Sequence, residues 1–147
     1  MKFNTKLLHG KAGRNTPDGA TLPGISQVSA FSYDSAEHLE KVFGNKSPGF
    51  AYTRIGNPTV AAFEQRINEV EGGTGAVACA SGMAAITVAL LNVLSAGDEI
   101  IAGSGLFGGT IDLFKDLEAF GITTHFIPHI TVEDIKPVLN QNIKAVF

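Results

Sequence analysis

The spacing of the hydrophobic residues changes near the middle of the chain. Between Asn57-Pro58, a helix start signal, and Gly72-Gly73, a stop signal, the apolar residues recur at helical spacing: Val60, Phe63, Ile67 and Val70. Beyond this helix, short apolar runs alternate with helical patterns. The predicted elements are a strand over 76–80, a helix over 83–94, a strand over 99–102, a helix over about 108–120 and a strand over 122–127, with Gly97 and Gly121 closing the two helices.

This alternation predicts an α/β fold. Strands that are apolar throughout and separated by helices are typical of a mainly parallel sheet covered on both faces, in which ligands lie at the carboxyl ends of the strands. Thr131 with Asp134 predicts another helix start, and Lys144-Ala-Val-Phe147 resembles the opening of a further strand. Because the chain stops there, we expect the domain to be present only in part.

The N-terminal region follows neither period. The first thirty or so residues are rich in Gly, Pro, Asn, Ser and Thr and predict an extended arm. Asp34 with Glu37 forms a candidate capping box, and the apolar residues Leu39, Val42 and Phe43 then predict a short helix that ends at Gly44. A glycine-containing loop over 44–49 follows.

Composition narrows the functional classes. The chain has 147 residues, of which 44% are hydrophobic and 17% charged, enough for a core of about one domain. Its formal net charge is -3 and its Lys and Arg residues are scattered, which argues against a nucleic-acid surface. We therefore expect a small-molecule partner.

The single cysteine and one long uncharged run bear on the cellular location of the protein. The single Cys79 excludes a disulfide within the chain, favours a cytoplasmic protein, and is interpreted as a small buried hydrophobe on a strand. The uncharged run 76–96 is long enough to span a bilayer, but Ser81-Gly82 interrupts it and no basic cluster flanks it. A buried strand followed by a buried helix explains this run better.

The most informative chemical feature is the passage from strand to helix at Ser81-Gly82. A helix start exposes unpaired N–H groups and the positive end of the macrodipole, and a glycine there lets an anion approach the main chain. The pattern predicts a phosphate cradle.

Two other motifs give weaker signals. The run 103–108 is a literal GxGxxG between a strand and a helix, but the next strand offers no carboxylate for a ribose, which argues against an NAD-binding Rossmann site. His125 and His129 lie four apart without sharing a helical face, so we interpret them as surface residues near a strand end rather than metal ligands.

Tyr52 and Arg54 form a second candidate anion-binding element. They are predicted to lie in extended chain just before a helix, so that both side chains point the same way, and a phenol with a guanidinium suits a phosphate dianion. A surface ion pair of Arg54 is the alternative.

Several ordered motifs together resemble the Cys/Met-metabolism family of pyridoxal-phosphate (PLP) enzymes. They are Tyr-x-Arg-x-x-Asn-Pro-Thr at 52–59, Glu-Gly-Gly at 71–73, Ala-Ser-Gly-Met-Ala-Ala at 80–85, Gly-Asp-Glu-Ile at 97–100 and Phe-Gly-Gly-Thr at 107–110. The residues at 21–25, Phe31 and 36–39 are similar to the branch that replaces the acetate of O-acetylhomoserine with sulfide or a thiol. Branches that act on methionine or cystathionine share the main motifs and stay open as alternatives.

The resemblance implies a fold and a set of cofactor contacts. The fold is that of aspartate-aminotransferase-type (fold type I) PLP enzymes, with residues 1–57 as an arm packing on a neighbouring subunit and 58–147 as the first part of the PLP-binding domain. Gly82 and Met83 would bind the cofactor phosphate through backbone N–H groups, with Ser81 beside them. Tyr52 and Arg54 would reach the phosphate of the neighbouring subunit of a homo-oligomer.

Phe107 departs from the family pattern. It falls where relatives commonly have a tyrosine that stacks on the pyridine ring, so the stacking surface is kept and the hydroxyl is lost. If Phe107 is the stacking residue, the missing proton would come from the Schiff-base lysine or from Tyr52 of the partner subunit. The alternative is that Phe107 only packs under the ring.

The resemblance also implies that the catalytic residues lie outside this chain. It places the Schiff-base lysine, the carboxylate that binds the pyridine nitrogen and the arginine that binds the substrate carboxylate beyond Phe147. We therefore expect this part to be inactive alone, and a phosphate- or PLP-binding module without chemistry is the other hypothesis.

Overall fold

The helix predicted after Asn57 is present in the computed structural model, which describes residues 2–10 and 19–147. The elements are α1 (Phe3–His9), α2 (Ala36–Phe43), α3 (Pro58–Glu71), α4 (Gly82–Val93), β1 (Glu99–Gly103), α5 (Gly108–Asp116) followed by a 3-10 turn (Leu117–Phe120), β2 (Thr123–Ile127), α6 (Val132–Ile135) and β3 (Ile143–Val146). They form two compact units, Met1–Ala78 and Cys79–Phe147. This division groups α3 with the N-terminal residues, and the functional boundary between 57 and 58 stays a prediction.

In the first unit, α3 forms as its signals indicate. The Asn57 side chain accepts a hydrogen bond from Thr59 N, Pro58 occupies the first turn, and Gly72 ends the helix with φ 69°. Local sequence signals at both ends are therefore enough to specify this helix.

The N-terminal arm was predicted as extended, and this is wrong for 3–9, which form α1. No side-chain bond caps the start of α1, and its first turn has no acidic residue, so local signals for it are missing. Its stabilisation comes from α3, because Arg66 donates to the carbonyl oxygens of Lys6 (3.1 Å) and Leu7. Residues 19–28 have neither helix nor strand, as expected, while 11–18 lie outside the described residues.

The short helix α2 forms, but its cap is Ser35 and not Asp34. Ser35 is extended and its side chain accepts from His38 N at 3.2 Å, which leaves Asp34 one residue too early. Gly44 ends the helix as predicted.

The strand predicted over 76–80 is wrong, and with it the placement of Cys79 on a strand. Among the described residues no strand pairs with this segment, and Val77 is 80% exposed. The segment has no regular secondary structure, and a side chain holds it in place, since Ala78 N donates to the Glu64 carboxylate at 2.8 Å. Cys79 is half-buried. An apolar run indicates a strand only where a partner strand is available.

The second unit contains the parallel sheet that the alternating pattern predicts. The strand order is β2-β1-β3, and β1 pairs in parallel with both neighbours. Glu99 lies beside Thr123 and Gly103 beside Ile127, so the amino and carboxyl ends of β1 and β2 coincide.

The core of this unit lies between the sheet and the helices that precede and follow β1. It consists of seven buried residues, Leu90, Leu94, Ile100, Ala102, Phe114, Leu117 and Ile122. The Phe114 ring is fully buried and packs edge-on against Phe147, with ring centroids 5.2 Å apart. The apolar burial that fixes β1 therefore comes from both flanking helices.

Of the two glycines predicted to end helices, Gly121 does so and Gly97 does not. Gly121 ends the 3-10 turn with φ 76°, whereas α4 already ends at Val93 with Leu94 as its C-cap. Gly97, with φ 93°, instead lies in the turn before β1, where Ser95 N donates to the Asp98 side chain at 2.8 Å. The predicted start at Thr131 is confirmed, because its hydroxyl accepts from Asp134 N, and β3 forms where the last strand was expected.

One carboxylate joins three parts of the sheet at the amino end of β1. Glu99 accepts hydrogen bonds from Asn140 (2.9 Å) and Asn142 (3.3 Å), which precede β3, and its Oε2 lies 2.5 Å from His125 Nε2 in β2. These donors, Asn140 first, lower the pKa of Glu99 to about 2. His125 is thus a half-buried partner within β2, not the strand-end surface residue that was predicted.

Within the described part of the chain, no helix is long and apolar enough to cross a membrane.

We expect Glu99→Gln to lower the free energy of unfolding at pH 7. The folded pKa lies below the ordinary value of 4.5, so the carboxylate stabilises the fold above pH 4.5, and this contribution is lost as the pH falls through about 2. The difference between variant and wild type, measured as urea-unfolding midpoints, should therefore shrink between pH 4.5 and 2.

The matched control is Asp112→Asn. Asp112 pairs on the surface with Lys115 at 3.3 Å, and exposed pairs contribute little, so this change should leave the midpoint nearly unaltered. A difference in unfolding midpoint between Glu99→Gln and wild type that stays constant between pH 4.5 and 2 would contradict the lowered pKa of Glu99.

Candidate functional site

The amino end of α4 is organised by Ser81. This residue is extended, with φ -156° and ψ 163°, and its side-chain oxygen accepts from Ala84 N at 3.1 Å. Its carbonyl oxygen accepts from Ala85 N at 3.0 Å, which begins the helical ladder. Ser81 therefore satisfies the third and fourth amide groups of the helix.

The first two amide groups of α4 remain available. Among the described residues, neither Gly82 N nor Met83 N donates a hydrogen bond. A Cβ built on Gly82 would meet no atom within 4 Å, so the space beside this backbone is open. Two free N–H groups, the positive end of the helix dipole and open space suit an anion such as a phosphate.

The side chains of Phe107 and Met83 both lie close to Gly109 in the first turn of α5. A Cβ built on Gly109 would lie 3.0 Å from Cε1 of Phe107 and 3.8 Å from Sδ of Met83. The Phe107 backbone starts α5, because its carbonyl oxygen accepts from Thr110 N at 2.9 Å, while its ring is 77% exposed. An aromatic face is thus presented beside the amino end of α4.

Gly109 is a site residue that sequence reasoning missed. A side chain at this position would press on the Phe107 ring and make an ordinary contact with Met83, so the glycine lets the ring lie close to the start of α5. The tandem Gly108-Gly109 at a helix start was the available signal, since glycine is unfavourable inside a helix unless close approach requires it.

Tyr52 forms an antiparallel bridge with Ala30, and a tight turn follows at 53–55, so the predicted extended conformation is wrong for Arg54. The carbonyl oxygen of Tyr52 accepts from Ile55 N at 2.9 Å and from Gly56 N at 3.0 Å. The two side chains nevertheless come together, with Arg54 Cζ 5.0 Å from the centre of the Tyr52 ring. This cation–π contact holds a guanidinium and a phenol side by side.

The predicted site residues are divided between the two units. Tyr52 and Arg54 belong to the first, and Ser81, Gly82, Met83 and Phe107 belong to the second. The structure brings each group together internally, and their common role in binding one phosphate stays a prediction. Of the described residues, no three His, Cys, Asp or Glu side chains form a group that could hold a metal ion.

Comparison with known proteins gives one consistent result. A family model described as Cys/Met metabolism PLP-dependent enzyme matches residues 4–147. O-Acetyl-L-homoserine sulfhydrylase of Corynebacterium glutamicum is 40% identical over 147 residues, and homocysteine synthase of Schizosaccharomyces pombe is 39% identical over 150 residues. Each alignment covers 99% of this chain and 34% of the relative, so the chain spans about a third of their length.

The name of another relative indicates a different activity. L-Methionine γ-lyase of Treponema denticola is 34% identical over 148 residues, which cover 100% of this chain and 37% of the relative.

Solved structures share the fold. A candidate O-acetylhomoserine (thiol)-lyase from Campylobacter jejuni, solved with N'-pyridoxyl-lysine-5'-monophosphate, matches with a TM-score of 0.89 at 32% identity over 100% of this chain and 36% of that one. Cystathionine γ-lyase from Lactobacillus plantarum, complexed with L-serine, matches with a TM-score of 0.86 at 33% identity over 99% of this chain and 36% of that one. The expected fold type I architecture, present in part, is confirmed.

We expect Ser81→Ala to destabilise α4. Losing the side-chain acceptor for Ala84 N should lower the free energy of unfolding by about 1 kcal/mol and speed hydrogen exchange at Ala84. Ser81→Asp keeps an acceptor at this position and is the control, with exchange close to wild type. Equal exchange in the alanine variant would show that the cap contributes nothing.

Proposed function

The chain belongs to the Cys/Met-metabolism PLP-dependent enzymes, and from this premise we propose that it forms the N-terminal part of an O-acetylhomoserine sulfhydrylase. Such an enzyme replaces the acetate of O-acetylhomoserine with sulfide or a thiol and releases homocysteine or methionine. The observation that carries the phosphate-binding part of the proposal is the open amino end of α4 at Gly82 and Met83. The substrate assignment is supported by the two relatives at 39% and 40% identity.

The residues of the second unit fit the phosphate and ring of PLP. Gly82 N and Met83 N would donate to the phosphate, and the Ser81 hydroxyl can donate its own proton while its oxygen still accepts from Ala84 N. The exposed Phe107 ring offers a flat apolar surface for the pyridine. Bound there, PLP supplies an electron sink for carbanion chemistry at the substrate amino acid.

Tyr52 and Arg54 would complete the phosphate site of a neighbouring subunit. Their stacked arrangement places one phenol and one guanidinium on an exposed turn, and both donate hydrogen bonds. A homo-oligomer is therefore part of the proposal, as is a cytoplasmic location, which the single half-buried Cys79 supports.

Phe107 limits what this chain can do in the reaction. Its ring can orient a cofactor but can neither give nor accept a proton. Acetate is a good leaving group that needs little protonation, so a sulfhydrylase tolerates the loss of a hydroxyl better than an enzyme that expels a thiolate. A proton donor would come from Tyr52 of the partner subunit or from residues outside this chain.

The second candidate activity is a methionine γ-lyase, favoured by the Treponema denticola relative at 34% identity. The two activities differ in products. A protein that contains this chain should release acetate and form homocysteine from O-acetylhomoserine and sulfide, whereas a lyase would release methanethiol from methionine. Methanethiol release without acetate release would overturn the sulfhydrylase assignment.

The chain alone is proposed to bind without catalysing. Family membership argues against the NAD alternative for the Gly103–Gly108 motif, because these enzymes use PLP. Borohydride treatment with PLP, followed by mass measurement, tests the claim of inactivity. A stable pyridoxyl-lysine adduct accompanied by turnover would contradict it.

We expect Gly82→Val to weaken binding of pyridoxamine 5'-phosphate, a probe that has no aldehyde and cannot react with lysines. A branched side chain at Gly82 would fill the open space beside the first two N–H groups. A lost hydrogen bond to a charged group corresponds to about 1.5–3 kcal/mol, or roughly 10- to 100-fold in Kd by calorimetry.

Gly75→Val is the matched control, because a Cβ at Gly75 also meets no atom within 4 Å. Its affinity for the probe should equal that of the wild type. Equal affinity in Gly82→Val as well would show that the phosphate binds elsewhere.

A further inference from the structure

A buried amide joins three segments around the Tyr52–Arg54 turn. The side chain of Asn57 is only 5% exposed. Its Oδ1 accepts from Thr59 N at 2.9 Å, and its Nδ2 donates both to Ser26 O at 3.1 Å and to Thr53 Oγ1 at 3.0 Å. Both N–H groups and the oxygen of this amide therefore take part in hydrogen bonds.

Thr53 is the contact between this amide and the turn. It lies between Tyr52 and Arg54, its hydroxyl accepts from Asn57 and donates to Val28 O, and its backbone N donates to Ser29 O at 2.8 Å. Tyr52 itself forms an antiparallel bridge with Ala30. The middle residue of the exposed anion-binding pair is therefore fixed by three polar contacts.

Helix capping does not account for these bonds. The cap of α3 uses only the Oδ1 of Asn57, and Asp or Ser would serve equally well in that role. The two Nδ2 donations require an amide, and both go to groups that border the turn, Ser26 O and Thr53 Oγ1. The choice of asparagine is explained by the turn and not by the helix.

The exposed side chains need such support. Tyr52 and Arg54 lie on the surface, and a long flexible guanidinium loses conformational entropy when it is held in one arrangement. A turn that is fixed before ligand binding avoids ordering its backbone at that moment.

We propose that Asn57 and Thr53 are positioning residues that hold Tyr52 and Arg54 together as a preorganised anion-binding pair. The identity of the anion as a cofactor phosphate rests on the proposed function, whereas the preorganisation is a property of this chain. Neither Asn57 nor Thr53 touches the ligand in this proposal.

The test uses the whole chain and two pairs of variants. Thr53→Val removes the hydroxyl at nearly constant volume, and Thr53→Ser retains it. Asn57→Asp keeps the helix cap and loses both amide donations. Ser35→Ala removes the cap of α2, which lies away from these bonds, and controls for a general loss of helix stability.

The first measurement is the NMR ring-current shift of the Arg54 side-chain protons, which reports their position over the Tyr52 ring. We expect Thr53→Val and Asn57→Asp to lose at least half of this shift, whereas Thr53→Ser and Ser35→Ala retain it. A full shift in both Thr53→Val and Asn57→Asp would overturn the proposal, and the cap retained in Asn57→Asp keeps the test valid if Thr53→Val fails to fold.

The second measurement is a titration with inorganic phosphate, followed on the same resonances. In wild type and Thr53→Ser, phosphate should shift the Arg54 side-chain resonances with a single apparent Kd. In Thr53→Val this apparent Kd should rise several-fold. If phosphate moves none of them in wild type while the ring-current pattern is as expected, the phosphate role of the pair fails and the positioning role stands.

Discussion

The hydrogen bonds made by Ser81 determine what the amino end of α4 can do. Its two oxygens accept from the third and fourth amide groups of the helix, and the first two make no hydrogen bond within the part of the chain that the structure describes. With fewer bonds the helix start would fray, and with more no donor would remain for a ligand. The aromatic ring of Phe107 and the thioether of Met83 lie close to each other beside Gly109, so the start of α5 borders the amino end of α4.

The two groups of candidate site residues are held in place by different means. In the second unit the candidate anion-binding groups belong to the backbone, and their positions follow from where α4 begins. In the first unit they are the side chains of Tyr52 and Arg54, and their positions depend on a buried amide and a hydroxyl that connect segments far apart in sequence. The first arrangement is encoded locally and the second is not.

This difference explains what the sequence could predict. Helix α3 and strands β1 and β2 have local signals, namely a cap, a proline, a terminal glycine and uninterrupted apolar runs, and they form within a residue or two of their predicted bounds. Helix α1 depends on bonds from Arg66, and the irregular segment 76–80 depends on Glu64 and lacks a partner strand among the described residues. No local pattern contains those contacts. The turn after Tyr52 was missed for the same reason, although the proximity of its two side chains was predicted. Gly109 had a local signal in the tandem glycines, but the side chains that lie close to it are brought there by the fold.

The two ends of strand β1 are connected to different parts of the unit. Glu99 joins three parts of the sheet at the amino end, and the loop that leads to Phe107 leaves the carboxyl end at Gly103. The two ends are separated by about 13 Å at 3.3 Å per residue. Substitutions around Glu99 are therefore expected to change the stability of the sheet without moving the candidate site, and substitutions around Phe107 are expected to change the candidate site without loosening the sheet. Because the two ends lie so far apart, the stability of the sheet and the shape of the candidate site can vary independently in this unit.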